Sequence, residues 1–219
     1  MSNFMMEMVR DVNQAKEFDY NFRNAKISHE TLKEILDAGR RAPSYKNEQN
    51  WRFILVRDDT KDELYRRLEV CRMNYVKDIN SYNMKRLEES IKYIKDCNLF
   101  IIVTMEINEF VNTSPKFSEI VSIGACIENM TLMATERVLD VAWIYADDIM
   151  PVLPVMEECL IDCCRLRLKL NNKRNKIIAG LCLGKEKEGV VKEQVPLKSI
   201  DLLTYKNDNI LPVINLSDF

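Results

Sequence analysis

Residues 42 to 51 read Ala42-Pro43-Ser44-Tyr45-Lys46-Asn47-Glu48-Gln49-Asn50-Trp51. A helical run from Leu32 to Arg41 precedes them, and an apolar, β-rich run, Trp51-Arg52-Phe53-Ile54-Leu55-Val56-Arg57, follows. Pro43 predicts the end of the helix, because the residue before a proline is pushed out of the helical region. Ser44, Asn47 and Gln49 are therefore expected at a helix-to-strand corner, where a hydroxyl and two amides can both donate and accept hydrogen bonds to a flat polar ligand. Ordinary turn residues at a helix terminus would give the same spacing.

The stretch Ile35 to Asp58 resembles the first signature of the nitroreductase family of flavin enzymes. That signature is an Ala-Pro-Ser, an Asn, a Gln-Pro-Trp and then a strand. Ala42, Pro43, Ser44, Asn47, Gln49, Trp51, Arg52 and Phe53 fit it, and Asn50 stands where proline is usual. Two weaker matches follow in the family's order. Ser122 to Trp143 resembles the long central helix and the strand after it, and Ile177 to Gly184 resembles a strand ending in a glycine turn. The similarity runs from about Ile27 to Tyr205.

The resemblance implies FMN as cofactor, NAD(P)H as reductant, and a nitroaromatic, quinone or other electron-poor acceptor. It also implies a homodimer, with the central helix in its interface and the C-terminal segment crossing to the partner subunit. The flavin ring and ribityl chain are expected to meet Ser44, Asn47 and Gln49, the backbone around Tyr145 and Ala146, and Asn74 at the ring edge. Family members carry an Arg-Arg-Ser-x-Arg toward the phosphate and the N1 side of the flavin; this chain has Lys16-Glu17-Phe18-Asp19-Tyr20 there. Lys16 and, near the C-terminus, Lys192 are the cations left for the phosphate. The usual Gly-Leu-Gly before the third strand is Val138-Leu139-Asp140. No acid–base residue is expected to be catalytic, since a flavin carries its own redox chemistry. The alternative is a divergent member that binds flavin weakly or not at all and works as a ligand-binding or interaction protein.

The chain's 219 residues suit one domain spanning 1–219 with a full core. The 47% apolar and 30% charged content is that of a globular protein. A net charge of −2, with no basic stripe interleaved with aromatics, argues against nucleic acid as a partner. No apolar run nears the roughly 20 residues of a membrane span. The N-terminus lacks a basic region followed by an apolar core, so a cytoplasmic location is expected. No G-x-G-x-x-G opens a helix, which argues against a Rossmann site.

Seven cysteines, an odd number, point to reduced thiols. Cys159, Cys163 and Cys164 have the spacing C-x3-C-C. Cys159 and Cys163 share a helical face and Cys164 points about 100° away, so core packing is expected rather than a metal or redox centre. His29 is the chain's single histidine.

Periodicity predicts a short helix over 5–17 and a helix from the cap Ser28 through Arg41. A strand is expected at 51–57. A capping box at Thr60 and Glu63 should open a helix toward Tyr75, and a further helix is expected over Met84–Lys95. Strands are expected at 99–105, 141–145 and 177–183, and helices at 118–138 and 152–170. A turn is expected at Asn171-Asn172, and a short apolar segment at 210–216. The 118–138 helix is apolar on nearly every face, so it needs cover all round, from its own subunit or from a second one. Helices and strands mix without strict βαβ alternation, which predicts an α+β layered sandwich with a central, mostly antiparallel sheet.

Overall fold

The structure, a computed structural model, describes residues 15–75, 81–108, 116–164, 169–170 and 173–190. Residues 5–14 of the helix expected at 5–17, the turn at 171–172 and the apolar segment at 210–216 fall outside these; residues 15–17 are described and are not helical, because Ala15 N donates to Val141 O of the sheet instead. The element order is α1 (His29–Arg40), β1 (Trp51–Val56), α2 (Asp58–Tyr75), α3 (Ser81–Asp96), β2 (Leu99–Asn108) and α4 (Phe117–Glu136). β3 (Asp140–Tyr145), α5 (Leu153–Cys164), β4 (Lys169–Leu170) and β5 (Lys173–Gly184) complete it.

The sheet runs β1-β2-β5-β3 with every pairing antiparallel, and the two-residue β4 folds back on β5. This is the expected α+β sandwich. Alternation along the strands sends Leu99, Ile101, Val103 and Met105 to one face, where α1 and α4 cover them. Ile54, Val56, Phe100, Ile102, Ala142, Ile144 and Cys182 face the other side, under α2, α3 and α5. The register shifts where Val103 and Thr104 pair with Ala179 and Ile177, leaving Ile178 as a bulge on β5.

Local chemistry sets the helix ends. Ser28 Oγ accepts from Thr31 N at 3.0 Å, the expected cap of α1. Gly39 lets α1 close onto α4, because a Cβ there would lie 2.6 Å from Met130 Cγ. α2 starts two residues before the expected capping box. Asp58 and Asp59 occupy its first turn, where negative charge suits the positive end of the helix dipole. α3 ends on the buried Lys61, whose Nζ donates to the carbonyls of Lys95, at 3.3 Å, and Cys97. Of the helix expected over 152–170, Leu153–Cys164 is α-helical, and Lys169–Leu170 is a strand instead. These two residues pair with Arg174 and Lys173 in a hairpin, which satisfies backbone groups that a continued helix would have satisfied internally.

α4 is covered on one side by its own subunit. Ile123, Cys126, Ile127, Met130 and Ala134 are buried, whereas Phe117 is 89% and Val121 72% exposed. At its C-terminus the chain turns through Val138, with φ 59°. Val138 N donates to Thr135 O and Leu139 N to Ala134 O, both at 2.9 Å, closing the helix in the way a glycine normally does. A β-branched side chain is strained in that left-handed conformation. Val138 is also 89% exposed, so its side chain returns almost no burial energy. Val138→Gly should therefore raise stability by about 1–2 kcal/mol in urea unfolding; an unchanged or lower midpoint would contradict the strain.

Candidate flavin site at one end of the sheet

The loop after α1 is tied down from below. Tyr45 N donates to Ser122 Oγ at 2.9 Å, and Ser122 Oγ donates to Ser118 O at 2.7 Å, which fixes the loop on the first half of α4. Ser44 Oγ accepts from Gln49 N at 3.2 Å and closes the loop on itself. Lys46, Asn47 and Gln49 all have positive φ, at 51°, 56° and 46°. Three non-glycine residues in the left-handed region within four positions carry a conformational cost that the anchors below must meet. The result is an outward-facing polar surface. Asn47 and Gln49 are exposed and Ser44 is half-buried; Gln49 Nε2 donates to Asn47 Oδ1 at 2.8 Å. Lys46 Nζ lies 5.2 Å from the centroid of the Tyr45 ring.

Strand register places the remaining candidates. Trp51 pairs with Met105, and Met105 with Lys176, so the loop sits at that end of the sheet. Tyr145 pairs with Ala179, so the turn after β3 is at the same end, on the opposite edge. Three inter-strand spacings separate the two edges, roughly 14 Å. Tyr145 is 44% exposed and shares its face with Trp143, ring centroids 6.0 Å apart. Ala146 spends its N–H on Ile178 O at 3.3 Å, and Asp148 spends its N–H on Tyr145 O at 3.0 Å. The Asp147 N–H has no acceptor among the described residues. Asp147 lies one residue beyond the pair expected from sequence and is exposed.

Asn74 lies on the other side of the sheet, exposed, in a groove of about 460 Å³ with Arg66, Arg67, Val70 and Val155. Val155 belongs to the helix that follows the 145–149 turn. Lys16 is at the far end of the sheet. Ala15 N donates to Val141 O at 2.7 Å and Lys16 N to Glu186 Oε1 at 3.0 Å. The step from Leu99 to Met105 along β2 puts that end roughly 20 Å from the loop. Lys192 lies outside the described residues. The structure thus brings Ser44, Asn47 and Gln49 together, sets Tyr145 and Ala146 across the same sheet end, and leaves Lys16 and Asn74 apart from them.

The N-terminal segment has its own electrostatics. Glu17 is paired with Lys92 at 2.8 Å and Lys187 at 3.6 Å. The hydrogen bond from Lys92, with the charges of both lysines, holds the Glu17 carboxyl below its usual range. Asp19 accepts from Asn21 N at 2.9 Å. The Tyr20 ring is flanked by the guanidinium of Arg23 at 4.3 Å and the ammonium of Lys95 at 5.6 Å. Both acids are thus engaged locally, and Lys92, Lys95 and Lys187 bring positive charge that the local motif lacks. These pairings span up to 170 residues of sequence, too far for any pattern within the motif to reveal.

Of the cysteine group, the structure describes the side chain of Cys159 alone. Cys159 is fully buried in the core; among the described residues no cluster of three or more His, Cys, Asp or Glu could hold a metal ion, and no helix is long and apolar enough to cross a membrane. The side chains of Cys163 and Cys164 lie outside what the structure describes.

Comparison with known proteins follows the same line. The sequence matches the nitroreductase family model over residues 19–185. A nitroreductase with bound FMN from Bacteroides fragilis NCTC 9343 superposes with a TM-score of 0.69 at 19% identity, covering 98% of this chain and 100% of that one. A BluB-like flavoprotein from Clostridium difficile 630 gives 0.71 at 17% identity, with 93% and 98% covered. A nitroreductase with bound FMN from Desulfitobacterium hafniense DCB-2 gives 0.68 at 19% identity, with 94% and 100% covered. No curated protein matches the sequence.

Burial decides how the core thiols behave. It pushes the Cys126 thiol up to about 12, so the nucleophilic thiolate is scarce at neutral or mildly alkaline pH. Iodoacetamide at pH 8 should leave Cys126 unmodified in the native protein and label it once the chain is unfolded. Native labelling of Cys126, read by peptide mass, would show the core to be open.

Proposed function

The chain belongs to the nitroreductase family, and from that premise we propose that it is an FMN-dependent oxidoreductase that takes electrons from NAD(P)H and passes them to a nitroaromatic, a quinone or a similar electron-poor acceptor. One observation carries the proposal. A strained loop, anchored to α4 through Ser122, exposes the Asn47 and Gln49 amides at the end of the sheet, with the half-buried Ser44 hydroxyl behind them. Strain of that kind persists where surrounding structure enforces it, and it gathers at ligand sites. The donor set suits a flavin: Ser44, Asn47 and Gln49 offer donors and acceptors in one patch, as a ring edge and a polyol chain require. When bound, FMN supplies a ring that accepts hydride and hands electrons on; the chain's task is to bind and orient it.

Assembly is part of the proposal. The loop and Lys16 lie at opposite ends of one sheet, so a second copy is the natural source of whichever half a bound cofactor cannot reach. The exposed Phe117 and Val121 on α4, beside the loop's anchor, give that copy an apolar surface to cover. We assign a homodimer on these grounds, with NAD(P)H as reductant by family resemblance and the cytoplasm as location. Lys16 and Lys192 are assigned to the phosphate, with Lys92 and Lys187 adding charge near Lys16.

A second reading has one observation in its favour. Where the family carries arginines, Glu17 and Asp19 add negative charge, which disfavours a phosphate. That reading is a divergent member that binds flavin weakly or not at all. The visible spectrum of the purified protein separates the two, since a colourless protein that stays colourless with added FMN fits the second reading alone.

Asn47→Ala should weaken FMN binding by about 1–3 kcal/mol in a fluorescence titration, because a polar group of the ligand loses its partner. Unchanged affinity would put the ring elsewhere. An obligate dimer of this kind should bury more than about 2,000 Å² and sediment as one species at all working concentrations. A monomer persisting at high micromolar concentration would exclude it.

A further inference from the structure

The hairpin of β4 and β5 concentrates positive charge at the sheet end that carries the 42–51 loop. Lys169, Lys173, Arg174 and Lys176 fall within eight positions that hold no acidic residue, in a chain whose net charge is −2. Pairing sets Lys169 beside Arg174 and Leu170 beside Lys173. On its other edge β5 pairs Arg174 with Ile107 and Lys176 with Met105, and Met105 pairs in turn with Trp51. Directly paired residues share a face, as do residues two apart on one strand. Lys169, Arg174 and Lys176 therefore stand on the face of Trp51, Met105 and Ile107. That face is the one α1 and α4 cover, and the loop is anchored on α4.

The separations are short. Glu106 N donates to Asn50 O at 2.8 Å, and Glu106 pairs with Asn175. Two inter-strand spacings, roughly 10 Å, thus separate the end of the loop from the basic run. Tyr145 pairs with Ala179, and Lys176 lies three positions further along β5, roughly 10 Å beyond the turn after β3. The basic positions stand beside the candidate flavin site rather than in it. Of the acids nearby, Glu106 is paired with Arg52 at 3.1 Å and by alternation lies on the opposite face. Glu48 and Asp147 are exposed, where salt screens them from a group seated directly among the cations.

We propose that the β4–β5 hairpin binds the 2′-phosphate of NADPH and so selects NADPH over NADH as reductant. The assignment rests on the reading that FMN binds at this end of the sheet. A dinucleotide whose nicotinamide reaches the flavin leads its phosphates away from it, and the hairpin is where this chain offers them charge. A phosphate monoester carries about two negative charges and three acceptor oxygens at neutral pH. An arginine flanked by lysines suits it, since the guanidinium can fork to two oxygens while ammonium groups add point charges. NADH lacks that phosphate and is otherwise the same molecule, so the choice between the two reads this contact alone. A long polyanion fits less well, because the chain as a whole is net negative.

The test is calorimetric titration of the full chain, with FMN present, by adenosine 2′,5′-bisphosphate and by AMP. These probes differ by the 2′-phosphate alone and involve no redox chemistry. The parent should bind the bisphosphate at least about tenfold more tightly than AMP. Arg174→Gln and Lys176→Gln should each cut that preference by about threefold or more without lowering the melting temperature, and the double variant should abolish it. Lys85→Gln on α3, where the side chain is 77% exposed, should leave it unchanged. The preference for NADPH over NADH in kcat/KM should fall in the same order. Equal binding of the two probes by the parent, or an equal loss from Lys85→Gln, overturns the assignment. Tight binding of a DNA duplex at physiological salt, lost in the same variants, gives the hairpin to a polyanion and overturns it too. A parallel FMN titration keeps the two failures apart. FMN bound without a 2′-phosphate preference overturns the assignment alone. A preference without bound FMN supports the phosphate site and overturns the function proposed above, and the loss of both overturns both.

Discussion

Everything in this fold leans on β2. Its side chains from Leu99 to Met105 are all buried, alternately under α1 and α4 on one face and under α2, α3 and α5 on the other. A strand buried on both faces cannot slip by one residue without exchanging its two faces, so its register is fixed more firmly than that of a half-exposed strand. β1 and β5 take their registers from it directly, and β3 takes its own from β5. The loop carrying Ser44, Asn47 and Gln49 and the turn carrying Tyr145 are thereby placed at one end of the sheet by packing in its middle. The position of the candidate site is thus set by a core that lies away from it.

Much of this was legible in the sequence. The β-branched run after Leu99, the Ser28 cap and the apolar pattern of α4 each follow from local chemistry that tertiary context did not override. Boundaries went astray where a competing local option existed. Two aspartates start α2 before Thr60 can cap it, and the hairpin of Lys169–Leu170 against β5 takes over residues that periodicity gave to α5. In the site, residue types were readable in the 43–49 loop, but its conformation was not. Nothing in Lys46-Asn47-Glu48-Gln49 announces three left-handed residues, since asparagine alone among them tolerates that region well. The strain comes from the anchor at Ser122, some 75 residues away in sequence, and contacts of that range leave no local trace.

The N-terminal segment shows the same limit from the opposite side. Read locally, Glu17 and Asp19 look like a loss of charge where the family keeps arginines. In the fold Glu17 gathers Lys92 and Lys187, and Tyr20 stands between Arg23 and Lys95. Positive charge has moved from the segment to its neighbours rather than vanished. Exposed pairs of this kind contribute little to stability, on the order of 0–1 kcal/mol each, so they are weak evidence about folding. What they change is the potential at the surface, which matters to an anion whether or not the pairs stabilise the chain.

At 17–19% identity to the solved structures named above, most surface positions have changed, yet the superposition spans nearly the whole chain. The positions held by physics are those where one residue serves two masters. Ser122 packs within α4 and anchors the loop, and Gly39 lets α1 approach α4 beneath that loop. Val138 shows how such a constraint can be strained without being lost, since a valine there keeps the glycine-like turn at an energetic cost. Retained backbone geometry under changed side chains is what a common fold at this identity looks like. It separates the question of what this chain can hold from that of how tightly it holds it, and the second is set by the charges that have moved.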